Sequence, residues 1–516
     1  MRKKKNKNKK IISLLLNQKG MALLTTLIFV FILVTFGVAL LTMTSNDTKL
    51  SALQRDSTKA FYIAEAGIQD AISRLVNGTV SDTGNETVTD WNVDNSYSST
   101  GFNNTFTIKH RLAGSPSAVV MNPTTGKPYY IITSTGTSET AKKTIEVVVS
   151  LIYPSPFEKA LIGCNGVSFK SNGKTSSYSS AGNPVDGKKG DIATTSPNAD
   201  ITLSSNAEIK GNVRATGHLT MKSNAKVQKS AYANGNIDMS SNAKIGTADT
   251  TPPYSYEAMA GGNIILGSNA QIYGTQSQNT SPPPVPPESC DPLNINDLFT
   301  TNAAPIQETN NNAELHTPYF NGSSYSIGSN NSDTIGVTDQ SKEYYLTSFS
   351  TNSNSVVTIQ GNVTLYVNGN FSMNSNSEIK LASGAKLTIY VTGNFTLDSN
   401  TQINNNTDLD NQRINNTDLD NQRIPSNLMI YSNAQSASDT DYKLSLNSNS
   451  GFRGVVYAPG TAVEINSNAH IYGSVRGSFV SMNSNGEFHY DEELSKTTGG
   501  SGNPNGYSLV YWREII

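Results

Sequence analysis

Residues 19–43 read KGMALLTTLIFVFILVTFGVALLTM, a Lys-Gly pair followed by 23 residues without a charge. A helix needs roughly 20 apolar residues to cross a bilayer, so this run is long enough. It exceeds the ~7–15 residue apolar core of a cleaved signal peptide, and no small-x-small site closes it. Upstream, Arg2 to Lys10 is almost all Lys, Arg and Asn, and such basic leaders stay in the cytoplasm. Alone, the leader would also read as a nucleic-acid patch; beside a membrane run it sets topology. The expected protein is single-pass, with its N-terminus cytoplasmic and its bulk extracellular, at the cell surface or in a filament.

Past the membrane run, Leu50, Leu53, Phe61, Ala64, Ile68, Ala71, Ile72 and Leu75 recur at steps of three, four or seven, with one turn skipped at Ser57, which puts them on one helix face. No Pro interrupts residues 21–76. One continuous helix of about 80 Å is therefore expected, with its first half in lipid and its second half offering an apolar stripe to a partner.

These residues carry a resemblance. Lys19-Gly20-Met21-Ala22-Leu23-Leu24 resembles the processing site of type IV prepilins, and Ala64-Glu65-Ala66-Gly67, within Ala60 to Ile68, resembles the signature of PilX-type minor pilins. The resemblance covers about the first 80 residues. It implies cleavage between Gly20 and Met21 by a prepilin peptidase, and partnership of the helix with other pilin or pseudopilin subunits. Major pilins usually carry Glu at the fifth mature position, where it meets a neighbour's terminal amine; here that position is Thr25. Without the carboxylate the charge pair cannot form in lipid, which fits a minor or tip subunit.

The whole chain has 516 residues, a formal charge of -2 and 15% charged residues, against the ~25% common in soluble domains. No basic stripe favours nucleic acid. Abundant Gly, Asn, Ser and Thr suit a β-rich protein with many turns. Cys164 and Cys290 form no Cys-x-x-Cys motif, so a zinc or redox pair is not expected; a disulfide and two separate thiols both remain open.

The runs Phe106-Thr107-Ile108, Tyr129 to Thr133 and Thr144 to Val149 are β-branched and aromatic, separated by Gly, Pro and Ser. They predict a small antiparallel sheet packed on the back half of the helix, since a sheet of this size needs an apolar partner. Farther on, Ile201 to Ala207, Leu219 to Ala225 and Ile237 to Ala243 repeat an apolar-x-apolar block ending in Ser-Asn-Ala, with Asn206, Asn224 and Asn242 spaced by 18, and a fourth copy places Asn269. A period near 18 with short alternating strands predicts a β-solenoid. Asn at each turn suits a left-handed corner, and stacked amides suit a ladder. A second array places Ser-Asn turns at Asn354, Asn376, Asn400, Asn433, Asn449, Asn468 and Asn485. Residues 454–475 are similar to the solenoid repeats found behind PilX-like N-termini and, more distantly, to bactofilin-type polymerising domains.

The expected fold is α+β, mostly β: a long N-terminal transmembrane helix, a small sheet head, and a β-solenoid with ~18-residue coils. The expected boundaries are a leader at 1–20, the helix at 21–76, the head at 77–153, a first array at 154–280, a Pro-rich stiff linker at 281–292, an irregular connection at 293–345, a second array at 346–490 and a tail with a final strand at 491–516. An exact duplication, Asn405 to Ile414 repeated as Asn415 to Ile424, reads as a surface-loop insertion.

No catalytic motif appears. His110, His218, His316, His470 and His489 are scattered without metal-ligand spacing, and no cofactor is expected. Asp408, Asp410, Asp418 and Asp420 offer oxygen atoms for calcium but lack the Gly and Glu of a known loop, so a solvated acidic loop is the reading. The expected function is that of a non-catalytic pilus or pseudopilus component displaying a solenoid toward a surface polysaccharide or protein. The alternatives are an anchored adhesin or scaffold that does not polymerise and, third, a polysaccharide-active enzyme, which would need paired carboxylates.

Overall fold

The computed structural model describes residues 8–76, 103–109, 129–139, 141–152, 155–182, 185–248, 256–286, 288–404, 424–496 and 506–515. Expectations for the leader before Asn8, for the start of the head at 77–102, for His110 and for the duplicated stretch at 405–423 with Asp408, Asp410, Asp418 and Asp420 lie outside them. The chain is a long N-terminal apolar helix followed by a mostly-β body with many parallel strands. It divides into two units, residues 1–152 with 503–516, and residues 153–502.

In the first unit, helix α1 spans Asn8–Val76. Its large apolar side chains from Leu23 to Met43 are exposed, and the helix is long and apolar enough to cross a membrane. The hydroxyls within this stretch are satisfied by the helix itself: Thr26 Oγ1 donates to Leu23 O at 2.9 Å and Thr35 Oγ1 to Ile32 O at 2.8 Å. Back-bonding of this kind makes Thr compatible with lipid.

The second half of α1 is covered only from Asp56 onward. Ala60, Ile63, Ala64, Ile68, Ala71, Ile72 and Leu75 are buried, whereas Leu50 and Leu53 stay exposed. The stripe expected to begin at Leu50 is thus split, because the sheet beneath reaches only the last turns. That sheet is antiparallel, in the order β1 (Asn103–Lys109), β2 (Tyr129–Ser138), β3 (Ala141–Ile152) and then the C-terminal strand Gly506–Ile515. The fourth strand comes from the far end of the chain. Arg513 pairs with Glu146 at 2.6 Å, and Trp512 packs edge-on to Phe61 of α1 with centroids 6.0 Å apart. The sheet therefore extends beyond the head boundary drawn at 153, and everything from 153 to 502 is inserted between two hydrogen-bonded neighbours.

Helix and sheet meet at Gly136 of β2. A Cβ there would overlap Ala60 O and Ala64 N of α1, backbone atoms that cannot rotate away. Gly136→Val is expected to cost about 1–3 kcal/mol through overpacking, read as faster hydrogen exchange at residues 60–75. Unchanged protection there would contradict this packing.

In the second unit the 18-residue step becomes parallel pairing. Ile201, Leu219, Ile237 and Ile264 are in register, as are Ile209, Val227, Ile245 and Ile272. Val213, Ala231 and Ala258 form a third row. Each pass of chain contributes three short strands whose alternate residues point inward. The step is not uniform, however. Tyr325, Phe349, Phe371 and Phe395 are in register at steps of 24, 22 and 24, because strands such as Val356–Val367 and Lys386–Val391 are longer there. Coils of ~18 residues describe only part of the body.

Strand pairing also alters the order of the arrays. His470–Met482 pairs with Leu161–Phe169, and Glu487–Asp491 with Lys174–Tyr178. The end of the second array therefore abuts the beginning of the first, in one 29-stranded sheet. Along the stack the chain runs from Ser324 to Asp491 and then, across a seam, from Leu161 to Ser277. The boundary drawn at 345 falls inside strand Ser332–Leu346.

Residues 278–323 must travel from one end of the stack to the other, and they do so as a strap bonded at several levels. Asn279 N donates to Gly262 O at 2.8 Å, and Val285 exchanges hydrogen bonds with the Asn234 amide at 2.8 and 2.9 Å. Cys290 forms a disulfide with Cys164. Leu293 N donates to Tyr457 Oη at 2.9 Å, Phe299 packs edge-on to Tyr390 at 5.3 Å, and Asn312 bonds the Tyr345 backbone. The Pro-rich stretch expected as a stiff spacer is part of this strap. It separates nothing in space, since the arrays it joins are already stacked.

Candidate functional site

Two features of the sequence reading converge on physical sites, and the structure adds a third. The first is the Ala-Glu-Ala-Gly segment of α1. Ala64 and Gly67 are buried toward the sheet, while Glu65 and Ala66 are exposed. Ala60 and Ala64 give the helix the thin face that lets Gly136 touch its backbone. The segment thus works as a packing surface on one side and leaves a carboxylate outward on the other. Upstream, Gly20 and Met21 lie within α1. Thr25 Oγ1, at the position where a carboxylate was sought, donates to Ala22 O at 2.9 Å.

The second feature is the row of corner asparagines. Asn206, Asn224, Asn242, Asn269, Asn449, Asn468 and Asn485 all have φ near +60°, as do Asn354, Asn376 and Asn400. Asn tolerates this region better than other non-glycine residues. Their amides also join the coils: Asn224 Nδ2 donates to Asn206 Oδ1 at 3.1 Å, and Asn206 Nδ2 to Asn172 Oδ1 at 3.1 Å. Asn172 Nδ2 then donates to Asn485 Oδ1 at 3.0 Å, carrying the ladder across the seam. Asn172 and Asn330, both left-handed, were missed although each follows a Ser as the others do. Asn433 does not belong to the row: it follows strand Leu428–Ser432 without a positive φ. Its coil carries the duplicated insertion, and the corner is supplied by Asn449, with Asn400 N donating to Ser448 O at 3.1 Å.

The third feature is a cluster that sequence spacing hid. His470 lies directly opposite Glu487, and Tyr472 opposite His489, on adjacent parallel strands. His470 Nδ1 is 3.7 Å and His489 Nε2 3.8 Å from Glu487 Oε2, while Lys174 Nζ is 3.6 Å from Glu487 Oε1. Ser176 Oγ is hydrogen-bonded to His489 Nδ1 at 2.7 Å, and the imidazole stacks on Tyr472 with centroids 4.6 Å apart. Arg453 covers the same tyrosine ring at 4.0 Å. Burial pushes His489 down to about 4, helped by His470, Arg453 and Lys210 and opposed by Glu487. The ring is therefore neutral near pH 7. The signal that would have found the cluster is the coil period itself, since His470 and Glu487 are separated by 17 residues, as are Asn468 and Asn485. His218 and His316 lie elsewhere: His218 Nδ1 accepts from Asn236 N at 2.9 Å, and His316 meets Asp333.

Among known proteins, residues 19–69 match the PilX N-terminal family. Residues 295–497 match a domain of unknown function, DUF7305, which lends no support to the bactofilin-type resemblance. No curated protein matches the chain. Among solved structures, the competence-associated pilin ComZ from Thermus thermophilus is similar at 11% identity, covering 89% of this chain and 97% of that one, with a TM-score of 0.30, too low to equate the two folds. The segment at residues 19–69, where the family match and the Ala-Glu-Ala-Gly packing face coincide, is a PilX-type N-terminal segment.

Proposed function

We propose that this protein is a minor subunit of a type IV pilus or pseudopilus whose body is a β-solenoid displayed outside the cell, without catalysis. The observation that carries the reading is the PilX match over residues 19–69, on a helix whose large apolar side chains from Leu23 to Met43 are exposed. An exposed stripe of that length is stable only in lipid or against other apolar helices, which are the partners a pilin helix has in the membrane and in a filament. Thr25, with its hydroxyl turned back on Ala22 O, leaves a neighbour's amine without a carboxylate and so favours a minor position. The disulfide between Cys164 and Cys290 agrees with a bulk that folds in an oxidising compartment. Outward residues of the body, such as Thr202, Thr220, Lys226 and Tyr232, form a polar surface suited to a polysaccharide or protein ligand. The parallel rows at 18-residue steps support the solenoid reading.

The test is the mature N-terminus, measured by mass spectrometry in cells with and without prepilin peptidase. The expected result is a chain beginning at N-methylated Met21 that disappears when the peptidase is absent, or when Gly20→Val blocks the site. A leader retained in both strains would leave a signal-anchored surface protein that does not polymerise.

A further inference from the structure

We propose that His470, Glu487 and His489 form a binding site for a divalent transition cation of the zinc type on the outer face of the parallel body. One ligand atom from each residue lies within 4.8 Å of the other two. Zinc bonds to nitrogen and oxygen are about 2.0–2.2 Å, so tetrahedral ligands sit roughly 3.4 Å apart. Small side-chain rotations bring the three atoms to that spacing, and His470 is exposed and free to make them.

The donor set selects the metal. Two imidazole nitrogens with one carboxylate suit zinc and its neighbours, whereas calcium and magnesium take oxygen ligands. Glu487 is already divided between two tasks: Oε2 faces both imidazoles, and Oε1 faces Lys174. The first oxygen is placed to ligate while the second is held by the ammonium. His489 is oriented by the hydrogen bond between its Nδ1 and Ser176 Oγ, which turns Nε2 toward the site; such outer partners fix ligand imidazoles in metal centres. The scaffold is rigid as well. His470 sits on strand His470–Met482 and both Glu487 and His489 on Glu487–Asp491, with Lys174 and Ser176 on the next parallel strand, Lys174–Tyr178, the strands being about 4.8 Å apart by sheet geometry. Three protein ligands leave a fourth position open, so the cation would both tie neighbouring coils together and present a coordination site outward.

The test uses the detergent-solubilised full chain without a histidine tag, dialysed against zinc chloride alone and assayed for bound metal, with cobalt(II) substituted to read geometry from its visible absorption. The expected result is one equivalent of zinc per chain and a tetrahedral cobalt spectrum, both lost in His470→Ala and His489→Ala. Ser176→Ala is expected to weaken binding by about 10–100-fold. Lys174→Ala is expected to retain or tighten it, because a competing cation is removed. His316→Ala serves as the control that leaves binding unchanged, and circular dichroism verifies that each variant is folded. Absence of a stoichiometric equivalent in the unaltered chain would overturn the proposal, as would an equivalent that survives loss of both His470 and His489.

Discussion

Phe371→Ala is expected to destabilise the parallel body by about 3–5 kcal/mol, the range for removing a buried aromatic side chain. Phe371 is fully buried and lies between Phe349 and Phe395, with centroids 4.6 and 4.7 Å away and ring planes within 9° of parallel. Tyr325 extends the column at 5.0 Å. The spacing follows from parallel strand pairing, which sets equivalent residues about 4.8 Å apart, so rings at matched positions stack without adjusting the backbone. Truncating the middle ring removes its apolar burial, leaves a cavity, and breaks two aromatic contacts worth roughly 0.5–1.5 kcal/mol each. Each coil touches mainly its two neighbours, so the damage is expected to be local. Hydrogen exchange should accelerate in strands Ser348–Thr351, Phe371–Met373 and Phe395–Leu397 before it does so near Ile237. Phe371→Leu, which keeps most of the volume, should cost markedly less. Equal effects of the two substitutions, or a uniform loss of protection along the body, would contradict a column of stacked rings in a stack of nearly independent coils.

The repeat and the helix were legible because both are written in local periodicity. Asn206, Asn224 and Asn242 declare which positions are equivalent, and Leu219 beneath Ile201 follows directly. Periodicity states equivalence but not adjacency. Nothing in it says that Phe169 pairs with Met482, more than 300 residues away, or that Trp512 completes the sheet begun at Asn103. The strap is hidden for the same reason: its partners Asn234, Tyr457 and Tyr390 look like ordinary residues of the parallel strands and turns until the chain is seen to lie across them. The His470, Glu487 and His489 cluster is the instructive case. Ligand spacing was sought at the short intervals of helices and turns, whereas a stack of coils brings residues together at one coil length. Asn433 is the opposite case, since a local Ser-Asn pair marks no corner there and the left-handed residue is Asn449.

Replacing both cysteines, Cys164→Ser with Cys290→Ser, is expected to cost up to about 5 kcal/mol by the loop-entropy argument for a closure of this length; their separation is 126 residues. Where the loss is felt follows from connectivity. Every pair of neighbouring coils is joined by continuous chain except at the seam, where Val475, Arg476 and Gly477 face Leu161, Ile162 and Gly163. There only hydrogen bonds and side-chain contacts hold one coil to the next, and the strap closes the gap from outside. Cys290 is bonded to Cys164 on one side of the seam. On the other side the buried guanidinium of Arg476 donates to Ser289 O at 3.0 Å and Cys290 O at 3.1 Å, and also to Pro156 O. Cys290 therefore grips both coils, and Ser289 adds a second bond to the Arg476 side. Without the disulfide, that grip rests on Arg476 and on Lys159 with Glu288, 3.2 Å apart. Denaturant unfolding of the unaltered chain with and without reductant, beside the double variant, should show the same lowered midpoint for the reduced and substituted proteins. Hydrogen exchange should rise first in Leu161–Phe169 and His470–Met482. A midpoint insensitive to reductant, or exchange that rises first at the ends of the stack, would mean that strand pairing alone holds the seam and that the strap is a passenger upon it.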